Sequence, residues 1–329
     1  GEERLKSLIE KYGAEAFENT VQDLMDYSEK RMRAELETFK DGKYTFIDTI
    51  EDDGIEDKKY EIHVAVYVQG GEVVVDYTGS SKQAKGPINA TLGVAWSAAF
   101  NAILHMTDET IPLNSGCLRP IRVIAPAGTV MNVDYPGSSV GGNTESHPLI
   151  VCAIFGAMVD CVPDRVMASE GTTHGCFVFG GHDPLNDEPY GGFDFSYVGY
   201  GGRLFADGND ATDSINGNCA NTPMEVFETR FPWIVEEYAL RPNSGGPGKF
   251  RGGLSNVKQM LCTGEMLVSQ MTNKHKLSAW GLEDGQEGAL GATLYNKSGT
   301  EKWETTVEGY GKVSPSKYSN IPMTPGDRV

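Results

Sequence analysis

Leu5, Leu8, Ile9 and Tyr12 recur at three- and four-residue spacing, Gly13 interrupts, and Phe17, Val21, Leu24 and Met25 resume the stripe. Apolar residues at that period line one side of a helix, so roughly the first 40 residues are predicted helical. Charged residues fill the other face as far as Phe39, and Asp41-Gly42 supplies the turn that ends it. From Tyr44 the period falls to two. Tyr44–Asp48 is strand-like, and the acidic run Glu51-Asp52-Asp53-Gly54 marks a turn. Tyr60, Ile62, Val64, Val66 and Val68 alternate with more polar neighbours, and Gln69-Gly70-Gly71 leads into Glu72–Tyr77. That pattern predicts a β-hairpin with one solvated face, on which His63 sits.

Leu92, Ala95, Trp96, Ala99, Phe100, Ile103 and Leu104 return to helical spacing, and the segment is apolar enough to predict a buried helix. Ile121–Ile124 reads as a short strand stopped by Pro126, and a second buried helix is expected from Pro148 to Cys161. Gly171 to Gly217 has little helical periodicity and reads as short strands and long loops. Met224–Leu240 contains an alternating stretch, and short strands are expected through Trp303. The order of elements predicts an α+β fold: N-terminal helices, β-hairpins and short mixed strands packed around two buried helices. The expected divisions are an N-terminal helical segment (1–42), an α+β core with the hairpin and both buried helices (43–165), and a β-rich, Gly-rich C-terminal part (166–329). The chain starts inside a charged helix with no cap ahead of it, so it reads as a segment of something longer.

Charge narrows the function classes. The 329 residues carry 28 Lys and Arg against 46 Asp and Glu, a net charge of −18. Such a chain repels phosphate backbones and anionic membranes, so neither nucleic acid nor a membrane is an expected partner. The longest apolar run, Leu149–Val159, is about half of the roughly 20 residues a bilayer requires. Six cysteines, none in a Cys-x-x-Cys pair, predict reduced thiols in a cytoplasmic protein rather than a zinc knuckle or redox pair.

Two polar segments are candidates for chemistry. Gly141-Gly142-Asn143-Thr144-Glu145-Ser146-His147-Pro148 precedes the second buried helix. Ser146 or Thr144 would cap that helix and Pro148 would open it. Asn143, Glu145 and His147 exceed what capping requires, and a helix N-terminus favours an anionic group. The second segment, Ser169–Cys176, carries His174 beside Cys176, a pairing that geometry permits as nucleophile and base without specifying it. The six histidines show no ligand spacing. Gly199–Arg203 and Ser244–Lys249 are glycine-rich but match no phosphate-loop pattern, and Arg241 and Arg251 are expected to buttress carboxylates within the fold.

The segment Asn221–Glu228, followed by Tyr238-Ala239-Leu240-Arg241-Pro242-Asn243-Ser244-Gly245-Gly246-Pro247-Gly248-Lys249-Phe250-Arg251-Gly252-Gly253-Leu254, resembles the hydantoinase B/oxoprolinase family. Asp26–Arg33, Asp76–Ser80, Gly86-Pro87-Ile88-Asn89-Ala90 and Asn114–Pro120 resemble it too, in order along nearly the whole chain. The resemblance implies one subunit of a heteromeric, ATP-dependent enzyme, paired with a hydantoinase A-type subunit that holds the ATP. The reaction it implies is hydrolysis of a cyclic amide (a hydantoin, 5-oxoproline or a lactam) or, in related subunits, carboxylation of a ketone such as acetone or acetophenone. A non-catalytic scaffold subunit is the reading from another class. In the family the His/Asp motifs for a divalent metal lie in an N-terminal region ahead of the helix that starts this chain, and a glycine-rich tail follows beyond Val329. No metal ligand is therefore assigned to any residue here. Asn143 and Glu145 match a family Asn-x-Glu pattern and His147 is less typical. The expected catalytic residues are Asn143, Glu145 and His147, with His174 as a further acid/base candidate.

Overall fold

A computed structural model describes residues 1–329. The N-terminal stripe forms two helices, α1 (Glu2–Tyr12) and α2 (Ala14–Leu36), broken at Gly13 where φ is 84°. Only the far end of the stripe is seated. Ser28, Met32 and Leu36 are buried in α2, whereas α1 buries nothing and Leu5, Leu8 and Tyr12 are exposed.

The period-two segments form β1 (Gly42–Ile50), β2 (Tyr60–Gln69) and β3 (Glu72–Asp76), followed by α3 (Leu92–His105), the single turn α4 (Ser115–Leu118) and β4 (Ile121–Ile124). The four strands make one sheet in the order β1-β2-β3-β4, antiparallel except for the parallel β3–β4 pair. Ile62, Val64, Val66 and Val68 point from β2 into the core, while the partly exposed His63 pairs with Glu61 on the other face. Thr91 caps α3, accepting from Val94 N. The helix buries an alanine face (Ala95, Ala98, Ala99, Ala102) but leaves Leu92 and Trp96 in the open, so it is not buried all round as its composition predicts. By contrast α5 (His147–Met158) is buried at every one of its 12 residues. It packs on β1 and α3, and Gly156 lets the Phe46 ring lie so close that an added Cβ would stand 2.9 Å from it.

Beyond α5 come β5 (Cys176–His182), β6 (Pro189–Asp194), α6 (Met224–Arg230), β7 (Trp233–Leu240), β8 (Asn256–Cys262) and β9 (Met266–Met271). Then follow β10 (Tyr295–Asn296), β11 (Trp303–Glu304), α7 (Thr306–Tyr310) and β12 (Lys317–Met323). A second sheet runs β12-β9-β5-β6, all antiparallel, and β7–β8 forms a separate ribbon. Its core is aromatic: Phe179 meets Phe227, Phe231 and Trp233 edge-on at centroid distances of 5.6, 4.9 and 5.8 Å, a geometry the ring quadrupoles favour. The two sheets with their helices make the fold α+β.

The acidic run after β1 is no solvated turn. Glu51, Asp52 and Asp53 are buried. Asp53 accepts from Ile55 N, Glu56 N, Gly86 N and the Tyr60 hydroxyl, which repays its desolvation and holds its carboxyl below the ordinary range although burial pushes the other way. Glu51 reaches the far end of the chain, accepting from Lys276 N at 2.7 Å and the Ser316 hydroxyl at 2.8 Å, and Asp52 pairs with the Lys276 ammonium at 2.8 Å. This run stitches the first sheet to the C-terminal loops. No helix is long and apolar enough to cross a membrane.

Candidate functional site

The site is built on a platform made by Gly86–Ala90. Asn89 is fully buried and its side chain is satisfied four ways: Nδ2 donates to Ala84 O, Gly86 O and Ser138 O, and Oδ1 accepts from Ala84 N. Gly142 lies against this platform so closely that a Cβ there would stand 2.3 Å from Asn89 O. Ser146 Oγ donates to Ile88 O instead of capping the following helix, and the Thr144 hydroxyl has no partner. Neither residue caps α5. Residues Gly142–Ser146 form a π-turn that runs straight into α5, with His147 N donating to Gly142 O. Because the turn continues into α5, that helix has no free N-terminus at which an anion could sit.

A π-turn inside a helix shifts carbonyls out of the regular ladder, and such turns gather at functional sites. Here three successive carbonyls are taken up by the C-terminal part of the chain. Asn143 O accepts from Asn216 Nδ2 at 3.0 Å, Thr144 O from His174 N at 3.3 Å, and Glu145 O from Asn273 Nδ2 at 3.2 Å. The turn thereby fixes three distant loops.

Asn143 and His147 open onto one cleft of about 610 Å³. Ser97 and Asn216 join them at its polar end, and Trp96, Phe100 and Leu104 line its apolar wall. None of the residues lining this cleft is an Asp, Glu, Lys or Arg. His147 is buried, its Nε2 lies 3.1 Å from the Ser97 hydroxyl and its Nδ1 has no partner. Burial, reinforced by the nearby His174, lowers its pKa to about 4, so the ring is neutral near pH 7. Near pH 7 it is a neutral hydrogen-bonding group.

His174 lies behind the cleft. Its Nδ1 is 2.8 Å from Asp213 Oδ1 and its Nε2 is 3.0 Å from Asn216 Oδ1, with both members of the His–Asp pair buried. It touches the cleft-lining Asn216 and does not line the cleft itself. Cys176 is no partner for it: burial drives that thiol up to about 12, where it is not a nucleophile. Glu145 lines neither the cleft nor the larger cavity bordered by Tyr200 and Trp280. It is fully buried, neither carboxyl oxygen has a hydrogen-bond partner, and burial pushes its pKa well above the ordinary range. A neutral carboxyl is the form that this pocket tolerates.

Sequence reasoning missed Asp213, Asn216 and Ser97. The one local trace of the first two is the tight turn Asp213–Gly217, where a Cβ on Gly217 would stand 1.7 Å from Asp213 Oδ2. The glycine-rich loops pack on each other: a Cβ at Gly253 would lie 2.0 Å from Asn209 O, and one at Gly199 would lie 1.9 Å from Gly253 O. Residues Gly199–Arg203 and Ser244–Lys249 also line the larger cavity. Arg251 meets Asp210 with two parallel hydrogen bonds of 2.9 and 3.2 Å, as expected. Arg241 instead donates to the Leu290 carbonyl. No three His, Cys, Asp or Glu side chains converge closely enough to hold a metal ion, so none of these residues is assigned to one.

Comparison with known proteins places the chain. It is 34% identical over 305 residues to the putative D-/L-hydantoinase B-type subunit of Pseudomonas sp. (strain NS671), covering 89% of this chain and 50% of that protein. It is 29% identical over 247 residues to the 5-oxoprolinase of Dictyostelium discoideum, covering 75% of this chain and 18% of that one. The chain thus spans half or less of these relatives. Its fold matches the ATP-dependent caprolactamase from Pseudomonas jessenii with a TM-score of 0.88, at 23% identity over 100% of this chain and 56% of the other. It also matches acetone carboxylase with a TM-score of 0.85, at 17% identity over 98% and 48%. The hydantoinase B/oxoprolinase family matches residues 1–329, and the chain belongs to that family.

Proposed function

We propose that this chain is part of a B-type subunit of a heteromeric, ATP-dependent enzyme that hydrolyses a neutral cyclic amide, and that the Asn143–His147 cleft receives the substrate. One observation carries this reading: the cleft has an apolar wall and a polar end, and not one ionised side chain lines it. A lactam or hydantoin offers one polarised carbonyl on an apolar ring, which matches such a surface. The Asn143 side chain is exposed and engages no other side chain, so its amide is free to donate to the carbonyl oxygen. A neutral imidazole at His147, beside the Ser97 hydroxyl, adds a second fixed polar group. Once substrate covers the cleft, a donor held against the carbonyl oxygen contributes about 3 kcal/mol to a transition state that carries negative charge on oxygen. His174 and Asp213 hold Asn216, and Asn216 holds the Asn143 carbonyl, so the geometry of the turn is set before substrate arrives.

ATP is assigned to the A-type partner subunit, where phosphorylation of the amide oxygen would make the carbonyl carbon electrophilic. Neither glycine-rich segment, Gly199–Arg203 or Ser244–Lys249, has the phosphate-loop pattern, which supports placing the nucleotide elsewhere. An uncharged cleft suits a ketone equally well, so ketone carboxylation is the second reading. The test combines the protein with its A-type partner, ATP and either caprolactam, hydantoin or acetone, with and without bicarbonate. Bicarbonate-independent ATP turnover with an amide supports hydrolysis, and bicarbonate-dependent turnover with acetone supports carboxylation. No turnover with any of them supports the scaffold reading and removes the cleft as an active site.

A further inference from the structure

A second cavity, of about 760 Å³, shares no lining residue with the cleft. Its electrostatics run against the rest of the molecule. In a chain of net charge −18, this cavity is lined by Arg203, Arg241, Lys249, Lys258 and Lys274 against only Asp194 and Glu283. Lys258 and Asp194 neutralise each other in a buried ion pair. The other four cations have no carboxylate within ion-pair distance. Arg203 and Arg241 each spend one donor on a backbone carbonyl, Asp207 O and Leu290 O, which orients the guanidinium and leaves other N–H groups free.

Lys274 is the decisive residue. It is 7% exposed, and its ammonium has neither a hydrogen-bond partner nor a carboxylate within 4 Å. The ammonium lines the cavity with no counter-ion from the protein, which leaves it available to a bound anion. The carboxyl that feels it most directly, Glu170, lies beyond ion-pair distance and is already engaged by the Ser214 hydroxyl and Ile215 N. The backbone is nevertheless constrained to present this lysine. Its φ is 65°, in the left-handed region, and its carbonyl accepts from Gly291 N. Its neighbour Asn273 is tied to Glu145 O and Thr172 O, and Lys276 N is tied to Glu51.

We infer that this cavity is a binding site for a small organic oxyanion, a carboxylate or a phosphate ester, with Lys274 as its counter-ion and Arg203 and Arg241 as flanking donors. The aromatic side chains of Tyr197, Tyr200 and Trp280 in the same wall would receive an apolar or planar body. The volume fits one small molecule. The site stands apart from the neutral cleft, and it holds whether or not amide hydrolysis is the reaction there.

The test is isothermal titration calorimetry of the chain at constant ionic strength with three probes that share a ring: benzoate, phenyl phosphate and neutral benzamide. Saturable binding of an anion below about 10 mM, with none for benzamide, is the expected result. Tighter binding of phenyl phosphate identifies the phosphate class, and tighter binding of benzoate the carboxylate class. Lys274→Met should weaken the preferred anion at least tenfold, Lys274→Arg should retain it, and Arg241→Gln should weaken it less. If K274M fails to fold, Lys274→Gln takes its place. Equal binding of benzamide, no saturable binding of either anion, or unchanged affinity in K274M or K274Q would overturn the inference.

Discussion

Glu170 offers the most quantitative check on how this interior is arranged. It is fully buried, Oε1 accepts from the Ser214 hydroxyl and from Ile215 N, and Oε2 has no partner. Burial is the largest influence and raises its pKa from the ordinary 4.5 to about 7, against the two hydrogen bonds and the Lys274 charge. The unfolded chain releases this proton near 4.5 while the folded chain keeps it to about 7, so the unfolded state binds fewer protons in between. Stability from this group is therefore complete below pH 4.5 and is lost as the pH rises to about 7. The interval of about 2.5 pH units, at 1.36 kcal/mol each, amounts to about 3 kcal/mol. In Glu170→Gln the amide oxygen keeps both hydrogen bonds and the titration disappears, but an N–H replaces the unpartnered oxygen at a cost of about 1 kcal/mol. The variant should be about 1 kcal/mol less stable than the parent at pH 4.5 and about 2 kcal/mol more stable at pH 7.5. Urea denaturation followed by circular dichroism across that range measures both curves. Their difference isolates Glu170, because Glu145, which is shifted in the same direction, contributes equally to each. A difference that stays flat within about 0.5 kcal/mol would refute the reasoning.

Other outcomes follow from the same geometry. Asn143→Ala should cut turnover of the assembled enzyme by about a hundredfold, and its thermal midpoint should not move because the side chain is exposed. His147 loses its proton more readily when folded, at about 4 instead of 6.5, so its contribution to stability is present above pH 6.5 and disappears as the pH falls toward 4. His147→Gln should flatten that acid limb by up to about 3 kcal/mol in urea melts. Gly142→Ala places a Cβ 2.3 Å from Asn89 O and should cost about 3 kcal/mol, read as a lowered thermal midpoint. A wild-type midpoint in G142A would mean that the platform yields more easily than its four hydrogen bonds imply.

Much of the fold is legible in local pattern. The period-two run over β2 and the helical run over α5 depend on side chains within one element facing one core, and those elements stand close to where the sequence predicts them. The divergences come where an element's surroundings decide its role. The α3 helix carries enough apolar residues to be covered on all sides, yet Trp96 stays open because the cleft lies beside it. The run Glu51-Asp52-Asp53 has the composition of a solvated turn and is buried, because Lys276 and Ser316, more than 200 positions away, partner Glu51 and Asp52, while Asp53 is met by Ile55, Glu56, Tyr60 and Gly86. The capping expected of Ser146 fails for the same kind of reason, since Ile88 O offers that hydroxyl a partner that no local reading supplies.

The sequence by itself determines the family, the α+β class, the acidic surface and the segment from Asn143 to His147 as a place of interest, because motifs and periodicity are properties of neighbours along the chain. Only the tertiary structure separates the members of that segment. Asn143 and His147 face a neutral cleft, Glu145 is sealed behind them, and His174 is bound to Asp213. It alone reveals that cations scattered from Arg203 to Lys274 face one cavity. Burial and field are sums over everything within a few ångströms, and in this molecule most of those neighbours are far away in sequence.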